Sequence, residues 1–198
     1  MDALSYEDLC ELANDSPDQA LAALGQAVLS ADERHEVERR ARAAVLSAAL
    51  TEALQPLDPA ERRLFAADCA EHVLPLWRER FPDDRRPAQA IEAARRYARG
   101  ELGEAELRRA HEEALRAGAD VFRQDFPPGV PQQAPPPLSL TAVAYAAAYA
   151  ADGPDVDSDV MAVKVAWYAV GAWPAHAPGA AARRLAERSW QVERLRSY

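Results

Sequence analysis

The chain contains almost no lysine and very little cysteine. Of its 23 basic residues only Lys164 is a lysine, and Cys10 and Cys69 are its two cysteines. Two lone thiols without framework spacing exclude a disulfide-stabilised scaffold and are typical of a reducing compartment. A basic surplus is absent as well, since the net charge is −9, and this excludes a general nucleic-acid-binding protein.

The sequence also lacks an apolar run of the ~20 residues that a membrane helix needs. Its opening segment, Met1–Glu11, is acidic and contains neither a basic stretch nor an apolar one, so it does not have the pattern of a signal peptide. We therefore expect a cytoplasmic protein without a membrane span.

No catalytic, phosphate-binding or metal-binding motif is recognisable. A Cys/His metal site or a Cys–His nucleophile could be built from Asp68, Cys69, His72 and His111. However, structural zinc usually needs four ligands in paired spacings, and a cysteine in mid-helix gains no activation from a helix N-terminus. We interpret Cys69 as a small core residue and the histidines as hydrogen-bonded interior residues, and we predict no metal and no cofactor.

Four aspartates alternate with other residues between the predicted helices of the C-terminal third. A calcium loop would need a glycine where Val160 stands and a glutamate where Ala166 stands, so the match to that motif fails. Two other interpretations are capping of the next helix by Asp157 or Ser158 and an acidic surface for a basic partner protein. The candidate partner-binding residues are Asp152, Asp155, Asp157 and Asp159.

Arginines are frequent between residues 78 and 99, but acidic residues interleave with them, which favours a neutralised helix surface over a nucleic-acid site. Aromatic residues could instead line a pocket for a small ligand. Their helical spacing and the alanines between them favour core packing, in which they supply most of the packing bulk. These residues are Tyr145, Tyr149, Trp167, Tyr168, Trp173 and Trp190.

The N-terminal third has the pattern of successive capped helices. Their predicted starts are Ser5, Ser16 with Pro17, Ser30, and Asp58 with Pro59. In the second helix Leu21, Leu24 and Val28 form the predicted apolar stripe. The third runs to about Leu54 with Val37, Ala41, Val45 and Ala48 inward, and the fourth bends or ends at Pro75.

A complete helix can be recognised at residues 87–99, in the stretch PAQAIEAARRYARGE. Pro87 suits the first helical position, and Gly100 suits the left-handed residue that ends a helix. Between them Ile91, Ala94 and Tyr97 define a narrow inner face that lets another helix approach closely. Outside, Glu92 is placed to form ion pairs with the arginines that follow it.

Farther along the chain, helices are predicted at 104–123, 140–151, 159–173 and 179–197, with Phe122 on the inner face of the first. A proline-rich strap at 127–137 separates a helical region, 1–126, from a second one rich in alanine and aromatic residues, 138–198. We predict an all-α, compact bundle of about eight helices, with stacked helix pairs as an alternative arrangement, in which the two regions pack as one domain.

The stretch from Pro87, together with SWQVERL in the closing segment Ser189–Tyr198, resembles immunity proteins that accompany bacterial polymorphic toxins. Those proteins share an alanine-rich helix of the pattern P-x-x-AIEAxRxWxxGE and a closing W-Q-x-x-R-L helix. Tyr97 stands where that helix has tryptophan, and Trp190 supplies the closing tryptophan. Residues Met1–Arg80 hardly take part in the resemblance.

The resemblance implies a non-enzymatic protein that neutralises a cognate toxin by occlusion, with an acidic helical surface facing a basic toxin domain. Neither nucleic acid nor a membrane is expected as a partner. A helical scaffold or regulatory module that binds a protein unrelated to toxins is a second hypothesis. A small-ligand binder that uses the Trp/Tyr region is a third.

Overall fold

The computed structural model describes residues 4–125, 139–153, 158–173 and 179–198, and these ranges contain nine α-helices. The predicted all-α class is confirmed, and every predicted helix is present. The strap at 127–137 lies outside the described residues. The helices are α1 (Tyr6–Asp15), α2 (Pro17–Ala23), α3 (Ala31–Leu54), α4 (Pro59–Arg80), α5 (Arg86–Ala98), α6 (Glu104–Asp125), α7 (Ser139–Ala150), α8 (Ser158–Gly171) and α9 (Ala180–Leu195).

Three of the helices begin with a reciprocal capping box. In each, the N-cap side chain accepts a hydrogen bond from the backbone N–H three residues later, and the acidic side chain there accepts one from the N-cap backbone. The N-cap residues are Ser5, Ser30 and Asp58. Ser16 makes no such side-chain bond. At the start of α2 the proline at its first position, Pro17, is therefore the feature that favours the helix.

Helix α7 lies at the centre of the fold. It contains no charged residue, and between Thr141 and Ala150 only Tyr145 and Tyr149 are not fully buried. It contacts α4, α5, α6 and α8. A helix that is apolar on all sides must be covered on all sides, and alanine side chains allow the neighbouring helices to approach closely.

The described chain has two hydrophobic clusters, which are joined by α3. The larger is built on α4–α8, whereas the smaller consists of α1, α2 and the first half of α3 and includes Leu9, Val37 and Ala41.

Val28 is 94% exposed, so its predicted place in the apolar stripe of α2 is wrong. Helix α2 ends at Ala23, which leaves Val28 in the loop that follows.

The inner face of α3 changes along its length. Val37 and Ala41 are buried as predicted, but Val45 and Ala48 are exposed, and Leu50 and Leu54 are buried instead. From Ala41 to Leu50 an α-helix turns by about 900°, which reverses the inward direction. The predicted single stripe is wrong because the two halves of α3 face different clusters.

Helix α4 does not end at Pro75 but continues to Arg80. Val73, Leu74 and Trp77 are buried on either side of the proline, and the Trp77 indole N–H donates to the carbonyl of Asp84 at 3.1 Å. Pro75 itself lies on the exposed side. Burial of these side chains outweighs the ~3 kcal/mol that proline costs in a helix interior.

Helix α5 is the helix that was predicted at 87–99, and we call it the signature helix. It begins one residue earlier than predicted and ends at Ala98. Ile91 and Ala94 are buried, and Tyr97 is partly buried against the core. Gly100 has φ 72°, and the N–H groups of Gly100 and Glu101 donate to the carbonyls of Tyr97 and Arg96. This is a Schellman motif, so the predicted stop at Gly100 is confirmed.

The aromatic side chains of α7 and α8 lie at the edge of the core, whereas Phe65 and Trp77 of α4 lie within it. Trp167 is 57% exposed and Phe122 is 38% exposed, so the predicted role of Trp167 as packing bulk and the predicted inward position of Phe122 are wrong. The closely packed alanines of α7 and α8 leave no room for large rings between the helices. Tyr145 fits beside α6 because residue 118 is glycine; a Cβ there would lie 2.7 Å from the Tyr145 ring.

A matched pair of substitutions in α5 tests this packing. Ile91→Asp places a carboxylate against the buried face and should lower the unfolding free energy by several kcal/mol, whereas Arg96→Ala on the exposed face should cost less than about 0.5 kcal/mol. Ala94→Leu should cost about 1–3 kcal/mol through overpacking. Chemical denaturation measures all three. Equal stability of the Ile91 and Arg96 variants would contradict the orientation of α5.

Candidate functional site

Side chains from α4, α5 and α9 meet in one polar and aromatic group at the surface, which we call the Asp68 cluster. It joins the signature helix to the closing helix through residues of α4. Its members are Asp68, His72, Arg95, Glu187, Trp190, Gln191, Arg194 and Tyr198.

The Asp68 carboxylate accepts hydrogen bonds from two other helices and the C-terminal residue. Oδ1 accepts from Arg95 at 2.7 Å, while Oδ2 accepts from Arg194 at 2.8 Å and from the Tyr198 hydroxyl at 2.7 Å. Burial alone would raise the pKa of Asp68, but the three donors outweigh it and lower the pKa. The carboxylate is therefore ionised and holds α5 and α9 against α4.

Arg95 also forms an ion pair with Glu71 at 2.5 Å. The predicted ion pair between Glu92 and Arg95 is therefore wrong, because Arg95 turns toward α4. Its guanidinium reaches two carboxylates there, and a bond to a partly buried carboxylate is stronger than one on an exposed helix surface.

His72 is held between a carboxylate and an indole. Its Nδ1 lies 2.8 Å from Oε2 of Glu187, and its ring stacks on Trp190 with centroids 3.8 Å apart and planes inclined by 10°. Glu187 is only 2% exposed. Gln191 completes its environment, since Nε2 donates to Oε1 of Glu187 and to the carbonyl of Ala166 on α8.

The spacing of α9 explains this arrangement. Glu187, Gln191 and Leu195 recur every four residues and form the buried face, while Trp190 and Arg194 follow the edge of that face toward α4. Trp190, which belongs to the closing motif, therefore stacks on the His72 ring.

His72 was predicted to be an interior residue, but 40% of its side chain is exposed.

The Asp68 cluster lacks an activated nucleophile. Cys69 is fully buried, and burial together with the nearby Glu187 and Asp68 carboxylates raises the pKa of its thiol well above the ordinary value. No group of three metal-ligating side chains is present in the described part of the chain. The cluster instead presents aromatic and arginine side chains at the surface, and their orientations are already fixed by neighbouring residues. These residue types are typical of protein interfaces.

Of the four predicted acidic residues, only Asp152 has a described side chain. It lies just beyond α7 and accepts a hydrogen bond from the Gly153 N–H at 2.9 Å. Asp155 and Asp157 fall outside the described residues, as does the side chain of Asp159. Their role in partner binding stays a prediction.

Two residues hold the C-terminal end of α7 beside Asp152. The buried guanidinium of Arg63 donates to the carbonyls of Ala150 at 3.0 Å and Asp152 at 2.7 Å, and the Nδ1 of His111 donates to the carbonyl of Ala148 at 2.9 Å. Burial lowers the pKa of Arg63. Both side chains therefore satisfy carbonyl groups at the negative end of a helix.

The arginine-rich region contains a small cleft of about 350 Å³ between the ends of α4 and α6. Trp77 and Phe81 line one side of it. On the other side Arg86 bonds to both Asp84 and Asp120, and Arg123 bonds to Asp120. These charges neutralise one another, so the cleft presents no unpaired charge to a ligand.

Sequence patterns alone missed the roles of Glu187 and Gln191. Their spacing of four residues places them on one helix face, but their partners lie on α4 and α8, which are distant in the sequence.

No helix in the described ranges is both long enough and apolar enough to cross a membrane.

Residues 52–122 match the family model described as "Imm-5 like putative immunity protein". The matched segment comprises the end of α3, all of α4 and α5, and α6 up to Phe122. The resemblance to this family is thereby confirmed, but its predicted extent is wrong: the match includes residues 52–80 and does not reach the closing segment Ser189–Tyr198. No curated protein and no solved structure matches the chain.

Asp68→Asn tests the central carboxylate through its pH dependence. The lowered pKa means that ionised Asp68 contributes stability above the ordinary pKa of about 3.9 and loses it as the pH falls toward the folded-state value. The variant should therefore be less stable by roughly 2–4 kcal/mol at pH 7, and the difference should shrink below about pH 4. Urea unfolding at several pH values measures it. A difference independent of pH would contradict this role.

The Cys69 thiol should not react in the folded protein. At pH 8 an alkylating reagent should leave it unmodified, because burial raises its pKa and blocks access. Mass spectrometry after alkylation in buffer and in denaturant measures this, with full modification in denaturant as the control. Rapid native alkylation would show that α4 opens locally.

Proposed function

We propose that the protein is an immunity protein that binds a cognate toxin domain and neutralises it by covering its functional surface. It carries out no chemistry of its own and acts in the cytoplasm. The match of residues 52–122 to an immunity-protein family supports a protein partner. The observation that carries the proposal is the surface of the Asp68 cluster.

The Asp68 cluster has the properties of an energetic centre for protein binding. Trp190, Arg194 and Tyr198 reach the surface, and tryptophan, tyrosine and arginine are the residue types that dominate binding energy. Each is already fixed: Trp190 by the His72 ring, and Arg194 and Tyr198 by Asp68. Little side-chain entropy is therefore lost when a partner binds.

The distribution of charge supports a basic partner. Residues 1–38 contain ten acidic residues and one basic residue, Arg34, whereas the remainder contains 22 of each sign, so the first 38 residues account for the net charge of −9. On α1 the exposed Glu7, Glu11 and Asp15 follow one another at every fourth position. A field of this sign accelerates the approach of a positively charged protein.

A second acidic contribution is proposed for Asp152, Asp155, Asp157 and Asp159. These residues follow α7, whose end is fixed by Arg63 and His111. Together with the N-terminal acidic residues they would steer a basic toxin domain, while the Asp68 cluster supplies the close contacts.

A helical scaffold that binds a protein other than a toxin is the second candidate function. It is favoured by the apolar side of α8, where Val160, Val163 and Trp167 are exposed at 51%, 39% and 57%. Their spacing places them on one helix face, which is a recurrent form of helix-binding surface. Such a scaffold would use this face and not the Asp68 cluster.

Binding kinetics with a toxin domain, to be sought among the products of the neighbouring genes, test the proposal. Trp190→Ala should raise the dissociation constant by about 30-fold or more, mainly through faster dissociation. Replacing Glu7, Glu11, Asp15 and Asp18 by their amides should slow association about tenfold at low salt. Replacing Asp152, Asp155, Asp157 and Asp159 by asparagine measures how much these four residues contribute to the association rate. High salt should reduce these differences in association rate.

Arg194→Ala and Arg196→Ala form a matched control pair on the same helix. Arg194 bonds to Asp68, whereas Arg196 is exposed beyond the helix end. Only the first should weaken binding. If the toxin domain does not bind, or if it binds equally well to the Trp190 and Arg194 variants, the Asp68 cluster is not the binding surface. Loss of binding on Trp167→Ala alone would favour the scaffold function.

A further inference from the structure

Helix α9 carries two partly buried arginines, four residues apart, whose hydrogen bonds go to neutral groups, as do those of Arg63. Arg86, Arg95 and Arg194 each form ion pairs with aspartates. Within the described ranges, Arg184 and Arg188 form none; their hydrogen bonds go to a neutral carbonyl and a neutral hydroxyl.

Arg188 is the more unusual of the two because it is half-buried between α9 and α3. Its Nη1 donates to the Ser47 hydroxyl at 2.6 Å, and that hydroxyl donates in turn to the carbonyl of Ala43 at 2.8 Å. Burial and the nearby positive charge of Arg184 lower the pKa of Arg188. A hydroxyl dipole does not balance a full charge, and buried charges in proteins are normally paired.

The charge around these residues is unfavourable for the folded chain alone. Arg184 lies one turn after the start of α9, near the end of a helix that favours negative groups, and the first turn of α9 contains no acidic residue. Its Nε donates to the carbonyl of Trp173 at 2.8 Å, while Arg183 lies over the Trp173 ring. Positions at which a local rule of stability is broken, such as a positive charge near a helix N-terminus, often mark functional sites.

We propose that Arg184 and Arg188 form a binding site for a doubly charged oxyanion of the phosphate type. Two guanidinium groups balance two negative charges, and each retains N–H donors in the planar geometry that matches phosphate oxygens. Positions 184 and 188 are four residues apart, so their side chains emerge from the same face of α9. Ser47 orients Arg188 toward that face. The site goes beyond the proposed function and does not depend on it.

Titration calorimetry with inorganic phosphate and with sulfate tests the site directly. The protein should bind both with a dissociation constant of about 1 mM or tighter, and acetate, which carries a single charge, should bind more weakly. In about 50 mM phosphate the melting temperature should rise by several degrees relative to sodium chloride of the same ionic strength. Absence of both effects would overturn the proposal.

Three variants locate the effect. Arg188→Gln and Arg184→Gln should each raise the dissociation constant for phosphate by about tenfold or more, whereas Arg196→Gln, which removes an exposed charge at the other end of the same helix, should leave it nearly unchanged. Glutamine retains an N–H donor for Ser47, so Arg188→Gln should keep the fold in chloride. Equal phosphate affinity in all three variants would show that anions bind elsewhere or through general charge screening.

Discussion

The burial of α7 among four other helices is the constraint on which the rest of the structure depends. A helix without charge, built largely of alanine, offers little apolar area per residue and must be approached closely from several sides. The neighbouring helices therefore present small side chains, such as Ala94 on α5, Ala114 on α6 and Ala166 on α8. The large rings of α7 and α8 lie outward, and this produces the aromatic edge beside Tyr145.

Charge is distributed in three different ways in this chain. Around Asp68 and Arg86 opposite charges are paired within the molecule, and they hold helices together. Along α1 acidic residues are exposed, and in the proposed function they would attract a basic partner. At Arg188 a positive charge is held between helices with a neutral partner. The first arrangement stabilises the fold, and the other two are the basis of the proposed partner and anion binding.

The sequence predicted the local features of the fold well because they depend on neighbouring residues. The capping serines and Asp58 marked helix starts, and Gly100 marked a stop, since each acts within a few positions. Burial at Val45, Phe122 and Trp167 was predicted wrongly, because it depends on which helix lies opposite. The same reason applies to the candidate site: Asp68 and His72 were named only as parts of a rejected metal site, because their partners Glu187 and Arg194 come from a helix more than a hundred residues away.

The two-faced burial of α3 has a consequence for how this protein can change over time. Substitutions at the exposed Val45 and Ala48 in its middle alter little of either cluster. An inserted or deleted residue in the same place would rotate one half of the helix by about 100° against the other. One cluster would then lose its inward side chains, so the length of α3 between Ala41 and Leu50 is held more strictly than its composition.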